Sequence, residues 1–229
     1  GLFEGVVTGA ADGYARIAGK PAATLLHLGA GLGNGFANLH NAYRAEVAIV
    51  NIVGDHATYH LQYDTPLTSD IAGVAAPVSR WVHSSASSDE LPQDAANAVA
   101  AANEAPGRVA TLILPADVSW GECSSGPAAP ATAAPARYAY DDAVEACAGA
   151  LRCGEPAMIV IGGHVHDAEL ELAATIAATT GARIAVETFA TRLPWGAGQP
   201  QCERITYLAE MVIEQLKSVR KLILVATRE

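Results

Sequence analysis

His27-Leu28-Gly29-Ala30-Gly31-Leu32-Gly33-Asn34 joins a strand-like run, Ala22 to His27, to a helix-like run, Gly33 to Arg44, and the reading of that junction decides the fold. Glycines at such a joint let the backbone turn sharply and come close to a ligand, and a helix start offers free N–H groups to polar atoms. The spacing Gly29-x-Gly31-x-Gly33 differs from the dinucleotide fingerprint, so taken alone the run is also what a plain connection looks like. Upstream stands a second segment, Glu4 followed by Gly5-Val6-Val7-Thr8-Gly9-Ala10-Ala11-Asp12-Gly13-Tyr14-Ala15-Arg16. It reads as a helix opened by an acid, and an acid there is mildly stabilising on electrostatic grounds alone.

Working outward, short β-rich runs alternate with Ala-rich helical ones, which implies βαβ units and a parallel sheet flanked by helices. Strands are expected at Ala22 to His27, Val47 to Val53, Val78 to Val82 and Val109 to Leu114, with helices at Glu4 to Arg16, Gly33 to Arg44 and Asp89 to Asn103. The stretch Gly121 to Arg137, rich in Ser, Pro, Gly and Ala without hydrophobic period, reads as a linker. The division is therefore residues 1–121, a linker at 122–137, and a second α/β unit at 138–229. In that unit helices are expected from Asp141, Asp167 and Glu203, and strands at Met158 to Ile161, Arg183 to Val186 and Leu222 to Val225.

The net charge of -10, from 24 acidic and 14 basic residues, disfavours nucleic acid and anionic membrane surfaces as partners and favours small-molecule chemistry. Apolar runs fall short of membrane-spanning length. Cys123, Cys147, Cys153 and Cys202 lack paired zinc spacing and suit a reducing cytoplasm, with Cys147 and Cys153 expected as small buried thiols on a helix. His56 and His60 stand four apart in a Tyr- and Asp-containing loop, a pattern more typical of hydrogen-bonded surface residues than of metal ligands, and no metal site is expected in this chain. Pairs such as Glu203 and Arg204 read as solvated faces.

Taken together, Glu4, Ala11 to Arg16 and Gly29 to Asn34 resemble, in order and spacing, the thiamine-diphosphate enzymes of the acetolactate synthase and benzoylformate decarboxylase family. Ala76-Pro77-Val78-Ser79-Arg80-Trp81 and the stretch from Pro106-Gly107-Arg108-Val109 to Leu114-Pro115-Ala116-Asp117-Val118 are similar to later strands of the same domain. The resemblance implies a pyrimidine-binding domain followed by a partial Rossmann-like central domain. For Glu4 it implies a hydrogen bond to the cofactor aminopyrimidine, promoting the tautomer that takes the thiazolium proton. An apolar pocket would suit a carboxyl group that shares a proton with a ring nitrogen. Gly29, Ala30, Gly31, Gly33 and Asn34 are implied as cofactor-binding, beside Glu4.

His27 is implied as a second catalytic residue, because the benzoylformate decarboxylase branch carries a substrate-facing His directly before its Gly-rich turn; packing at a strand end is the alternative. On an ungapped reading back from Asp70, Leu67 falls where typical acetolactate synthases have Gln in a helix, and Gln62 compensates only if the loop differs. These two are the weaker substrate-side candidates. The expected activity is decarboxylation of a 2-oxo acid with carboligation, the alternatives being plain decarboxylation or a noncatalytic nucleotide-binding module. Thiamine diphosphate is the implied cofactor, with Mg2+ ligands expected from a domain outside this chain and a flavin adenine dinucleotide either held or not held by the Gly162-Gly163 turn. A homodimer or homotetramer is implied. The opening Gly1-Leu2-Phe3-Glu4 reads as the interior of an element, so the chain is expected to be a piece of a longer protein, inactive by itself.

Overall fold

The computed structural model describes residues 1–134 and 138–227. The last three linker positions and the final two residues of the second unit lie outside the described residues. The chain forms two compact units, Gly1–Ala136 and Arg137–Glu229.

In the first unit, helix α1 (Glu4–Ala18) starts from an extended Phe3 and stops at Gly19, whose left-handed φ of 63° lets its N–H reach the Ala15 carbonyl. Strand β1 (Ala22–His27) runs directly into helix α2 (Leu28–Arg44). Then follow β2 (Ile49–Asp55), a 3-10 turn at Thr58–Tyr63, α3 (Ile71–Ala75), a second 3-10 turn at Ala76–Val78, β3 (Trp81–Ser84), α4 (Leu91–Ala102), β4 (Val109–Pro115) and α5 (Ala116–Trp120). All pairings are parallel, in the order β1-β2-β4-β3.

Alternation along the strands sends side chains to opposite faces of this sheet. Ile49, Val53, Val109 and Ile113 pack under α1 and α2 with Ala11, Leu32 and Leu39, while Val50, Ala110 and Leu112 pack on Ala98 and Ala102 of α4. Helices thus cover both faces, as the alternating sequence pattern predicts. Between the apolar rows on the α1–α2 face lies a buried polar one. The Thr24 hydroxyl donates to Asn51 Oδ1 at 2.8 Å, Asn51 Nδ2 donates to Thr111 Oγ1 at 3.1 Å, and Ser79 Oγ lies 2.6 Å from the same Thr111 hydroxyl. Because each member finds a partner, the desolvation of about 1–3 kcal/mol that an orphaned polar group costs is avoided.

The second unit contains α6 (Asp141–Arg152), β5 (Ala157–Ile161), α7 (Asp167–Thr180), β6 (Arg183–Val186), β7 (Glu203–Arg204), α8 (Ala209–Leu216) and β8 (Lys221–Val225), with parallel strands in the order β7-β6-β5-β8. One face packs on Leu170 and Ala173 of α7, the other near Leu216 of α8.

Several expectations need correction. The glycines of the 29–34 run are not a loop: α2 begins at Leu28, and the turn is concentrated in that residue, whose φ of 53° costs about 1–3 kcal/mol for a side chain of this kind. Glu203 opens a strand, and the helix starts at Ala209. Arg183 donates to both Glu203 oxygens, at 2.7 and 2.6 Å, so the partner of Glu203 is across the sheet and not its neighbour Arg204. Gln215 of α8 donates to Glu203 Oε2 at 3.1 Å and to the Arg204 carbonyl at 3.0 Å, which ties the short strand to the helix. Cys153 is exposed at the end of α6, and only Cys147 of that pair is partly buried, against the α7 side of the sheet.

Candidate functional site

Parallel sheets present ligands at the carboxyl ends of their strands. In the first unit β1 ends there at His27, in register with Gly54 of β2, and β2 ends at Asp55, in register with Pro115 of β4. Helix α1 reaches the same edge through its close approach to α2. The Thr8 hydroxyl, fully buried, lies 3.0 Å from both the Glu4 and the Gly35 carbonyls, and Asn38 Nδ2 donates to the Gly5 carbonyl at 2.7 Å. A Cβ at Gly35 would stand 2.9 Å from Thr8 Cγ2, so glycine is what lets the two helices come this near.

That contact brings the first turn of α1 over the second turn of α2. Asn34 Nδ2 donates to Glu4 Oε2 at 3.2 Å, and a Cβ at Gly31 would lie 3.5 Å from Glu4 Oε1. The carboxylate is therefore oriented on one side by an amide and faced on the other by a residue without a side chain. It is half-buried, its bond to Asn34 is exposed, and Leu2 and Phe3 beside it are exposed.

Of the remaining candidates, His27 is exposed and precedes α2 in extended conformation, without a capping bond from its side chain. Gly29 lies against Ser69, whose side chain a Cβ at 29 would overlap. Gly33 has no neighbour within 4 Å of where its Cβ would be, and Ala30 and Asn34 are exposed on the same helix. Gly33 and Asn34 lie beyond the first turn of α2, so their backbone N–H groups are committed to the helix, and Asn34 acts through its side chain. Gln62 sits in the 3-10 turn and donates to the Tyr59 carbonyl at 3.1 Å. Leu67 is exposed in the loop before α3 and not in a helix, because Asp70 caps the Gly73 N–H and starts the helix at Ile71.

Three further residues, to which the sequence reading gave no part in the site, hold this rim. Asp117 accepts from the Thr58 N–H at 2.9 Å and from the Thr58 hydroxyl, and the hydroxyl bond above all keeps its carboxyl below the usual carboxylate range. Ser69 packs on Gly29 as described. His56 Nε2 lies 3.0 Å from Thr65 Oγ1, which is 3.0 Å from Thr68 Oγ1, so the 56–69 loop is braced across its base. His56 is thus engaged with hydroxyls. Among the described residues no group of three or more His, Cys, Asp or Glu side chains could hold a metal ion, and no helix is long and apolar enough to cross a membrane.

Residues 2–76, which include both helices and the Glu4–Asn34 contact, match the family model described as thiamine pyrophosphate enzyme, N-terminal TPP binding domain. Residues 2–76 thus carry the N-terminal domain of the thiamine pyrophosphate enzymes, and the chain is similar to longer proteins of that kind. It is 53% identical to a Mycobacterium tuberculosis protein named as an acetolactate synthase large subunit, IlvX, over 231 residues that make up 99% of this chain and 44% of that protein. Over 118 residues, 51% of this chain and 22% of the relative, it is 33% identical to benzoylformate decarboxylase of Pseudomonas aeruginosa. The fold is also that of the crystal structure of benzoylformate decarboxylase from Polynucleobacter necessarius, with a TM-score of 0.80 at 23% identity, covering 97% of this chain and 42% of that one. The chain therefore spans less than half the length of these thiamine pyrophosphate enzyme relatives.

Proposed function

We propose that the first unit supplies the aminopyrimidine half of a thiamine diphosphate site, in an enzyme that decarboxylates a 2-oxo acid and ligates the product to a second oxo acid, in the manner of acetolactate synthase. The observation that carries this is the Glu4–Asn34 hydrogen bond, which joins the two motifs across 30 residues of sequence. Bound at this site, the cofactor would act as an electron sink for decarboxylation. Glu4 would share a proton with a ring nitrogen of the bound cofactor, Asn34 would hold the carboxylate oriented, and Gly31, without a side chain, would leave room beside Glu4 Oε1. The Mg2+ that neutralises the diphosphate takes its protein ligands from a domain outside this chain, and a second subunit closes the site, so the working enzyme is a homodimer or homotetramer of the cytoplasm.

A second reading, decarboxylation without ligation, is favoured by His27. Its imidazole is exposed at the end of β1, and in this reading it holds or moves a proton at a substrate oxygen, a role suited to histidine near neutral pH. Glu4→Gln in the full-length enzyme tests the site: turnover falls on the order of a hundredfold or more, as for loss of an acid–base group. Wild-type turnover and cofactor affinity in that variant would overturn the assignment. Product analysis with pyruvate and benzoylformate separates the two readings, since acetolactate appears only under the first.

A further inference from the structure

The second unit has the topology of a nucleotide-binding half: strand order changes direction beside β5, so the crevice for a dinucleotide diphosphate would open at the turn from β5 into α7. In such a unit the diphosphate is held by backbone N–H groups of the turn and of the helix start. Here four of those groups, at Gly162, Gly163, Val165 and His166, are engaged by the chain itself. The Gly162 N–H donates to the Val225 carbonyl at 2.9 Å, and the Val165 N–H donates to the Arg192 carbonyl at 3.0 Å. The Gly163 N–H donates to Glu187 Oε1 at 2.7 Å, and the His166 N–H donates to Glu169 Oε2 at 3.0 Å.

Two of those acceptors are carboxylates, and Asp167 adds another in the first turn of α7. A ligand with two phosphate charges would have to displace acids from the positions it needs and then lie beside them, where like charges repel. Space is short as well. A Cβ at Gly162 would stand 2.7 Å from both the Ala226 carbonyl oxygen and Thr227 Cα, and 3.0 Å from Glu187 Oε2. Glu187 follows the end of β6, where a dinucleotide-binding unit places the acid that meets the ribose, but it turns back onto the glycine turn.

We infer that Glu187 is a built-in anion that closes the phosphate turn, and that this unit takes neither a flavin adenine dinucleotide nor another nucleotide diphosphate. The inference stands on the second unit alone and does not depend on the catalytic reading of the first. The full-length protein, titrated with flavin adenine dinucleotide and separately with ADP, shows no saturable quenching of flavin fluorescence and no rise in Tm up to about 100 μM ligand. Glu187→Ala, which frees the Gly163 N–H, lowers Tm by a few degrees, whereas Glu187→Gln, which keeps an acceptor oxygen, lowers it less. Saturable micromolar binding of either nucleotide by the wild-type protein overturns the inference, as does a Glu187→Ala variant with unchanged Tm.

Discussion

Asn34 and Glu4 lie on different helices, 30 residues apart in sequence, and the amide of the first donates to the carboxylate of the second at 3.2 Å. The contact depends on close helix packing that small residues and the buried Thr8 make possible, so what orients the carboxylate is distributed along both helices. Glu4 Oε1 is left facing Gly31.

Asn34→Ala removes the orienting donor and leaves the acid. A hydrogen bond to a charged group is worth about 1.5–3 kcal/mol, so turnover in the full-length enzyme is expected to fall by about tenfold or more, less than for Glu4→Gln. Cofactor-dependent activation kinetics check this. An Asn34→Ala enzyme indistinguishable from wild type would show that the interhelix bond has no part in the site.

His27→Ala is expected to lower kcat while leaving thiamine diphosphate affinity nearly unchanged, because the imidazole is exposed at the strand end and the contacts that orient Glu4 come from α1 and α2. The outcome that opposes this is a lower Tm with unchanged activity per folded molecule, the signature of a packing role.

The alternation of strands and helices is legible in the sequence because each run carries its own period, and the strand Ala22 to His27 coincides with β1. The start of α2 is not legible. Glycines suggest a loop, yet the bend falls on Leu28, a buried residue whose positive φ has no local signal in its residue type. The strand at Glu203–Arg204 is invisible for a similar reason: two residues show no period, and their place is fixed by Arg183 and Gln215, distant in sequence. At the candidate site Glu4 and Asn34 are legible as motif members, whereas Ser69, Asp117 and the His56–Thr65–Thr68 brace are set by contacts between segments that no spacing rule connects.

The Arg183–Glu203 pair gives the second unit a pH dependence. Hydrogen bonding to Arg183, assisted by Gln215, holds the Glu203 carboxyl below its ordinary value. Its contribution is therefore present above the unfolded carboxylate pKa of about 4.3 and is lost as pH falls through the lower folded value. Both side chains are more than a third exposed, 37% and 39%, so solvent screening limits the effect to about 1 kcal/mol or less. Denaturant unfolding of wild type and Glu203→Gln is expected to differ at pH 7 by no more than that amount and to converge as pH falls through the lowered folded value. A difference that widens on acidification contradicts the assignment.

The glycines of α2 separate folding from ligand binding. At Gly35 an added methyl meets Thr8 Cγ2 at 2.9 Å and Leu26 Cδ1 at 3.3 Å in a fully packed place, so Gly35→Ala is expected to destabilise by about 1–3 kcal/mol, as overpacking does. Gly33 is different. It lies inside the helix, at an ordinary helical φ, with open space where a Cβ would go, and nothing in the folded chain requires glycine there. Replacing it by alanine should raise helix stability by about 0.5–1 kcal/mol through backbone entropy. If the open space beside Gly33 belongs to the cofactor, the same methyl intrudes on the ligand, and the full-length Gly33→Ala protein combines a higher Tm without cofactor with weaker thiamine diphosphate binding. Calorimetric titration alongside thermal melts reads both quantities on one preparation. A Gly33→Ala protein that is more stable and binds the cofactor as tightly as wild type would remove Gly33 from the site, leaving Glu4, Gly31 and Asn34 to carry it.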